Sequence, residues 1–130
     1  LATRAYIETM YMVKKGFSSQ IIKNDITSKY GYDLAKSVDE IRPDYNQFYV
    51  SCKNSVPQAI ICALDANSYE DAIRNAISIG GDSDTIAAIT GSVAEAFYGI
   101  SDKLKETAVS YLDERLLKIY VDFNNKTEVK

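Results

Sequence analysis

Apolar residues recur at spacings of three and four along most of this chain, and that helical period limits the possible fold more than any other feature. Ala2, Ala5, Tyr6, Met10 and Val13 make a first stripe, and Gly16 after Lys14 and Lys15 reads as its stop. Ser18 or Ser19 is placed to cap a second helix carrying Ile21, Ile22 and Ile26 and ending near Tyr30–Gly31. From Tyr32 to Asn54 the period is lost. Pro43 lies in this stretch, as does the run Gln47-Phe48-Tyr49-Val50, which suits extended backbone, and a connection of such length is often functional. Ser55 then offers a cap, with Pro57 in the first turn and Val56, Ile60, Ala63 and Leu64 as the next stripe. Ser68 with Asp71 reads as a capping box opening a helix that carries Ala72, Ile73, Ala76 and Ile77 and stops at Gly80-Gly81. An alanine-rich helix follows from about Asp84 to Tyr98, ended by Gly99. Ser101 begins the last, in which Leu104, Ala108, Tyr111, Leu112, Leu116 and Ile119 share a face, and residues 124–130 form a polar, frayed tail. The expected fold class is all-α, in one domain over residues 1–130.

Composition then narrows the chemistry. At 130 residues with 46% hydrophobic and 25% charged residues, the chain is long enough to bury a core and has the balance of a soluble globular domain. A net charge of -3, with the fifteen basic residues scattered among acidic ones, gives no footprint for nucleic acid. No apolar run approaches the roughly 20 residues that cross a bilayer. Arg4, Glu8, Lys14 and Lys15 break any signal-peptide pattern. Cys52 and Cys62 lack zinc-site spacing and are too few for a disulfide framework, so both read as reduced, buried small hydrophobes of a cytoplasmic protein. There is no histidine, which removes Ser-His-Asp and Cys-His nucleophile systems and histidine-ligated zinc. Carboxylates, hydroxyls, lysines or a hard cation remain.

The run Gly80-Gly81-Asp82-Ser83-Asp84-Thr85 holds the densest chemistry. Two residues apart on a regular helix are rotated by roughly 200°, so Asp82 and Asp84 converge only where the backbone is not yet helical. The glycine pair supplies that freedom, and the helix begins after it. Two carboxylates and the Thr85 hydroxyl then cluster as an all-oxygen ligand set suited to magnesium or manganese. From spacing alone, capping is the default use of the same residues, with the glycines merely ending the preceding helix.

A wider pattern alters that weighing. Ser55-Val56-Pro57-Gln58-Ala59, the stretch from Asp71-Ala72-Ile73-Arg74-Asn75 through Gly80-Gly81-Asp82-Ser83-Asp84-Thr85 to Thr90-Gly91, and Ala96-Phe97-Tyr98-Gly99 together closely resemble the ADP-ribosylglycohydrolase family. Gly31-Tyr32-Asp33 and Ile41-Arg42-Pro43 are similar to its bacterial members. The resemblance implies an all-helical bundle, represented here by its C-terminal portion and therefore incomplete. It implies a hydrolase with two magnesium ions, acting on the glycosidic bond that joins ADP-ribose to a protein side chain or small-molecule acceptor. Carried over residue by residue, it makes Asp82, Asp84 and Thr85 metal ligands, with Asp84 bridging the two ions, and Ser83 a substrate neighbour. Tyr49, Ser51 and Cys52 fall where the family builds part of its nucleoside pocket, although core packing is the commoner role of any one aromatic. The family's Asp-Asp pair beside a threonine, and its catalytic acidic residue, lie in an N-terminal half without counterpart here, so no catalytic residue is assigned in this chain.

The alternative is a catalytically inactive ADP-ribose-binding or structural module derived from the same family. A helical domain cut through its core is further expected to expose apolar stripes and to self-associate. Arg42 is read as an ion-pair residue, and Gly91 with the alanines after Asp84 as the means of close helix packing.

Overall fold

The computed structural model describes residues 1–45 and 51–127, and among them the structure is helix and connection without a strand. The chain divides into two compact units, Leu1–Gly99 and Ile100–Lys130. The first holds α1 (Ala2–Lys14), α2 (Ser19–Tyr30), α3 (Val38–Ile41), α4 (Cys52–Leu64), α5 (Tyr69–Ser78) and α6 (Ser83–Tyr98); the second holds α7 (Asp102–Ser110) and α8 (Glu114–Thr127). The all-α class read from the period is the observed one. The run Gln47–Val50 lies outside the described residues.

Each early helix follows its stripe, with informative departures. In α2 Ile22 and Ile26 are fully buried, whereas Ile21 is half exposed because 100° per residue carries it off the stripe. The unpatterned stretch contains α3, too short to display a period but held by a reciprocal capping box: Glu40 N–H donates to Ser37 Oγ (3.3 Å) and Ser37 N–H to the Glu40 carboxylate (2.7 Å). α4 starts at Cys52, with Ser51 at its cap position, about one turn before the expected cap Ser55. Pro57 is therefore inside the helix, where it offers no N–H to the Lys53 carbonyl. Nine buried residues between Ser55 and Leu64 outweigh that loss. In α5 the Ser68 hydroxyl accepts from Asp71 N–H (3.1 Å), but the Asp71 carboxylate turns back to Asn67 N–H (2.9 Å) rather than to Ser68, so the expected box closes one residue early.

The core of the first unit is aliphatic, with Ile22, Ile26, Leu34, Ile60, Ile61, Ile79, Ile86 and Val93 removed from solvent. α4, α5 and α6 pack mutually, α1 lies against α4 and α6, and α2 against α1. Gly91 is buried where α6 meets α5, and a Cβ there would stand 3.2 Å from both Ile73 Cδ1 and the Tyr69 hydroxyl. Thr90 Oγ1 donates to the Ala59 carbonyl at 3.1 Å, and the Tyr98 hydroxyl reaches the carbonyls of Ala63 and Ala66. Contacts thus advance together along α4 and α6, so the two helices run parallel and begin at the same end. Lys23, buried, pairs with Asp65 at the C-terminus of α4. Glu8 of α1 is tied to Lys29 and Tyr30 of α2. Arg42 pairs with Asp39 and donates to Ser78 Oγ (3.1 Å), the structural role expected of it.

In the second unit the predicted single last helix is two. Tyr111–Asp113 interrupt it, and Asp113 Oδ1 accepts from Leu116 N–H (2.8 Å), which caps a fresh start. Tyr111, expected on the shared apolar face, is 85% exposed, and neither α7 nor α8 contains a buried residue. α8 takes in residues 124–127 of the polar tail.

Two expectations follow. Ile60→Ala should cost about 3 kcal/mol, since it leaves a cavity at the centre, whereas Thr90→Val, which keeps the shape and loses one buried hydrogen bond, should cost about 1 kcal/mol; urea unfolding would measure both. Glu8 is held below the usual carboxylate value of 4.5, first by the hydrogen bond from Lys29 and next by that from Tyr30. A depressed folded value means stabilisation that is complete above pH 4.5 and fades as pH falls through the folded value. Glu8→Gln should therefore melt about 2–4 °C below the parent at neutral pH, with the gap closing in acid; melts as a function of pH would read it.

Candidate functional site

Gly80 and Gly81 have φ of +78° and +69°, a region closed to most L side chains, and they turn the chain between α5 and α6. A Cβ on Gly80 would also come within 3.6 Å of the Tyr45 carbonyl. Asp82 follows at the cap position with φ -77° and ψ 66°, and its backbone carbonyl accepts from Ile86 N–H (3.0 Å) while its side chain makes no capping hydrogen bond. A role as helix cap therefore leaves the Asp82 carboxylate unaccounted for.

That carboxylate meets Asp84 instead. The Asp84 carboxyl is held below the usual range, first by a hydrogen bond with the Asp82 side chain, then by the N–H groups of Thr85 and of Asp84 itself, with burial opposing. Two acidic groups hydrogen-bond to each other only around a shared proton, and a divalent cation can occupy the same position by taking an oxygen from each. Asp84 and Thr85 are exposed and Asp82 half buried, so the pair is open to solvent. Its donor set, carboxylate oxygens beside a hydroxyl, fits a hard cation. Among the described residues no group of three or more His, Cys, Asp or Glu side chains gathers that could hold a metal ion.

Because α4 and α6 are parallel, the start of α4 lies at this same end. Ser51 is exposed at its cap position and makes no side-chain capping bond, so the helix opens with its first N–H groups unanswered by that side chain. Cys52 is exposed, contrary to its reading as a buried hydrophobe, because the earlier start of α4 moves it into the first turn. Cys62 is buried as expected, and burial pushes its thiol up to about 12. Ser83 is the first residue of α6 and half buried. Tyr49 lies outside the described residues.

Cys52 also lines a cavity of about 370 Å3 with Thr3, Tyr6, Val56, Ala88, Ile89 and Ser92, and no charged side chain borders it. Ala88 follows Asp84 by about one turn, roughly 6 Å along the axis of α6. Tyr6 donates to Ser92 Oγ (2.9 Å) and Ser92 to the Ile89 carbonyl (2.7 Å). The sequence reading took Tyr6 as one member of an apolar stripe and passed over Ser92, and no local signal joins residues 86 positions apart.

Comparison with known proteins gives a family and a partial relative. The family described as ADP-ribosylglycohydrolase matches residues 5–128. ADP-ribosylhydrolase ARH3 of Homo sapiens is 36% identical over 69 residues, which cover 45% of this chain and 19% of that protein. The chain thus matches about a fifth of the length of that curated relative. No solved structure matches.

The turn geometry makes a direct test. Gly81→Ala forces a side chain into the left-handed region and should destabilise the protein by about 1–2 kcal/mol. Gly99→Ala, at φ +74° and ψ 173° but remote from the carboxylates, should cost at least as much, so a comparison of the two separates strain from any effect on cation binding.

Proposed function

The chain belongs to the ADP-ribosylglycohydrolase family, and on that premise we propose that it forms part of a magnesium-dependent hydrolase that cleaves the glycosidic bond between ADP-ribose and a protein side chain or related small-molecule acceptor. The observation that carries this reading is the Asp82–Asp84 carboxylate pair, brought together by two left-handed glycines and free of any capping role at Asp82. Asp82, Asp84 and Thr85 would hold metal, with Asp84 between two ions. Magnesium when bound would orient the ribose hydroxyls and polarise a water. Ser83, Ser51 and Cys52 would line the substrate's approach, and Tyr49 would add an aromatic surface for the nucleoside. The N-terminus of α4, with Lys53 and no acidic residue in its first turn, is the better of the two helix starts for the diphosphate, because α6 begins with Asp82 at its cap and Asp84 in its first turn. The acidic residue that manages the proton is assigned to no position of this chain.

The two free thiols fit a reducing, cytoplasmic setting, and no described helix is long and apolar enough to cross a membrane. A second reading, an inactive ADP-ribose-binding or structural module, is favoured by one observation: the carboxylate pair gathers no third carboxylate, thiol or imidazole among the described residues. It differs in outcome, since ADP-ribose would bind without any bond being cleaved by the longer protein.

The chain by itself should take up magnesium weakly, in a mostly hydrated form, and release no ADP-ribose from a modified protein. Asp84→Asn should reduce magnesium-dependent thermal stabilisation more than Thr85→Ala, because it removes charge where the threonine change removes a neutral ligand that water replaces. Without magnesium the variants should melt alike, as Asn remains compatible with a helix start. Titration calorimetry and initial rates on a protein that carries both halves of the family domain would decide the matter. Parent-like magnesium binding and turnover by Asp84→Asn would sink the metal assignment.

A further inference from the structure

α8 is helical over 14 residues although none of them is buried, and a helix of that length is marginal in water unless an apolar face is packed. Its side chains divide sharply around the axis. At about 100° per residue, Leu116, Ile119 and Phe123 fall within roughly 60° of one another. All three are exposed, at 43%, 57% and 64%. Their spacing, three residues and then four, is that of a helix–helix seam. Tyr120 borders the stripe on one edge, where it is half-buried and lines a groove with Val109 of α7. The opposite edge is polar. Arg115 and Asp122 stand there, both exposed, seven residues apart and so within roughly 20° of each other around the helix.

We propose that this stripe is the contact surface for a second copy of the chain, with the two α8 helices antiparallel about a twofold axis between Ile119 and Tyr120. Leu116 of each copy then meets Phe123 of the other, and the two Ile119 side chains meet near the axis. Antiparallel pairing sets like edge against like edge. Arg115 therefore stands only about 3 Å along the axis from Asp122 of the other copy, and the symmetry makes two such pairs. Lys118 of the same helix engages Asp122 Oδ2 (2.6 Å), so Oδ1 is the atom that receives the arginine. The stripe is thus complementary to itself in its apolar residues and in its charges. A parallel pair would separate Arg115 and Asp122 by about 10 Å and set them on opposite edges. An anionic bilayer fits less well, since it repels Glu114 and Asp122. The seam spans about two helical turns, which places the dimer among the small, transient interfaces.

Sedimentation equilibrium of the chain tests the assignment. The parent should show a weak, reversible monomer–dimer equilibrium, and Phe123→Glu should raise its Kd at least about thirtyfold. Arg115→Asp and Asp122→Arg should each raise it about tenfold, and the two together should restore it to near the parent's value. At concentrations where the parent is monomeric all variants should melt alike, because none of these side chains is buried, and this separates lost pairing from lost folding. A parent that stays monomeric up to about 1 mM would overturn the proposal. So would dimerisation that survives Phe123→Glu, or a double charge exchange without rescue. Phe123-dependent binding to phosphatidylglycerol vesicles by a monomeric chain would give the face to lipid instead. A dimer of this chain beside a strict monomer of a protein that carries both halves of the family domain would give it to the interior of that domain, and either result overturns the pairing.

Discussion

The hydroxyl groups of Thr90 and Tyr98, bonded to the carbonyls of Ala59, Ala63 and Ala66, hold α6 in parallel alignment with α4. A parallel pair brings two positive helix ends together, which is unfavourable by itself. The sequence answers with Asp82 and Asp84 at one of those ends and leaves the other, behind Ser51, without a side-chain cap. Alignment, charge distribution and the position of the site are thus one problem with one solution. Gly91 belongs to it as well, since the absence of a Cβ there allows α5 to close against α6 and bring the Gly80-Gly81 turn to the right height.

Much of this was legible in the sequence because it rests on local rules. Helical period located the stripes of α1, α2 and α5, and glycine located the stops at Gly16, Gly31 and Gly99, all three of which adopt positive φ. The Gly80-Gly81-Asp82-Ser83-Asp84 run was legible for a stronger reason. A spacing of two is wrong for one face of a helix, and a glycine pair is what a non-helical approach requires.

What escaped reading was decided by burial or by pairing at a distance. A serine followed by proline looked like the start of α4, yet apolar residues beyond Ser55 made it favourable to extend the helix upstream and leave Pro57 inside. The face from Leu104 to Ile119 is continuous in pattern and gives no sign of the break, which depends on Asp113 capping Leu116 in preference to continuing the helix. The cavity beside Cys52 cannot be read from the chain, because Tyr6 finds Ser92 only after the helices have assembled.

Asp82 and Asp84 stand on a turn whose backbone is set by the positive φ of Gly80 and Gly81 and by the Asp82 carbonyl accepting from Ile86 N–H. A backbone so fixed has already surrendered its freedom during folding. A ligand arriving there meets oxygen atoms that need not be gathered, and the entropy of ordering them has been spent by the polypeptide long before the encounter. The turn is in this sense a rigid template, one whose selectivity is written in the separation of its oxygens and not in their ability to adapt.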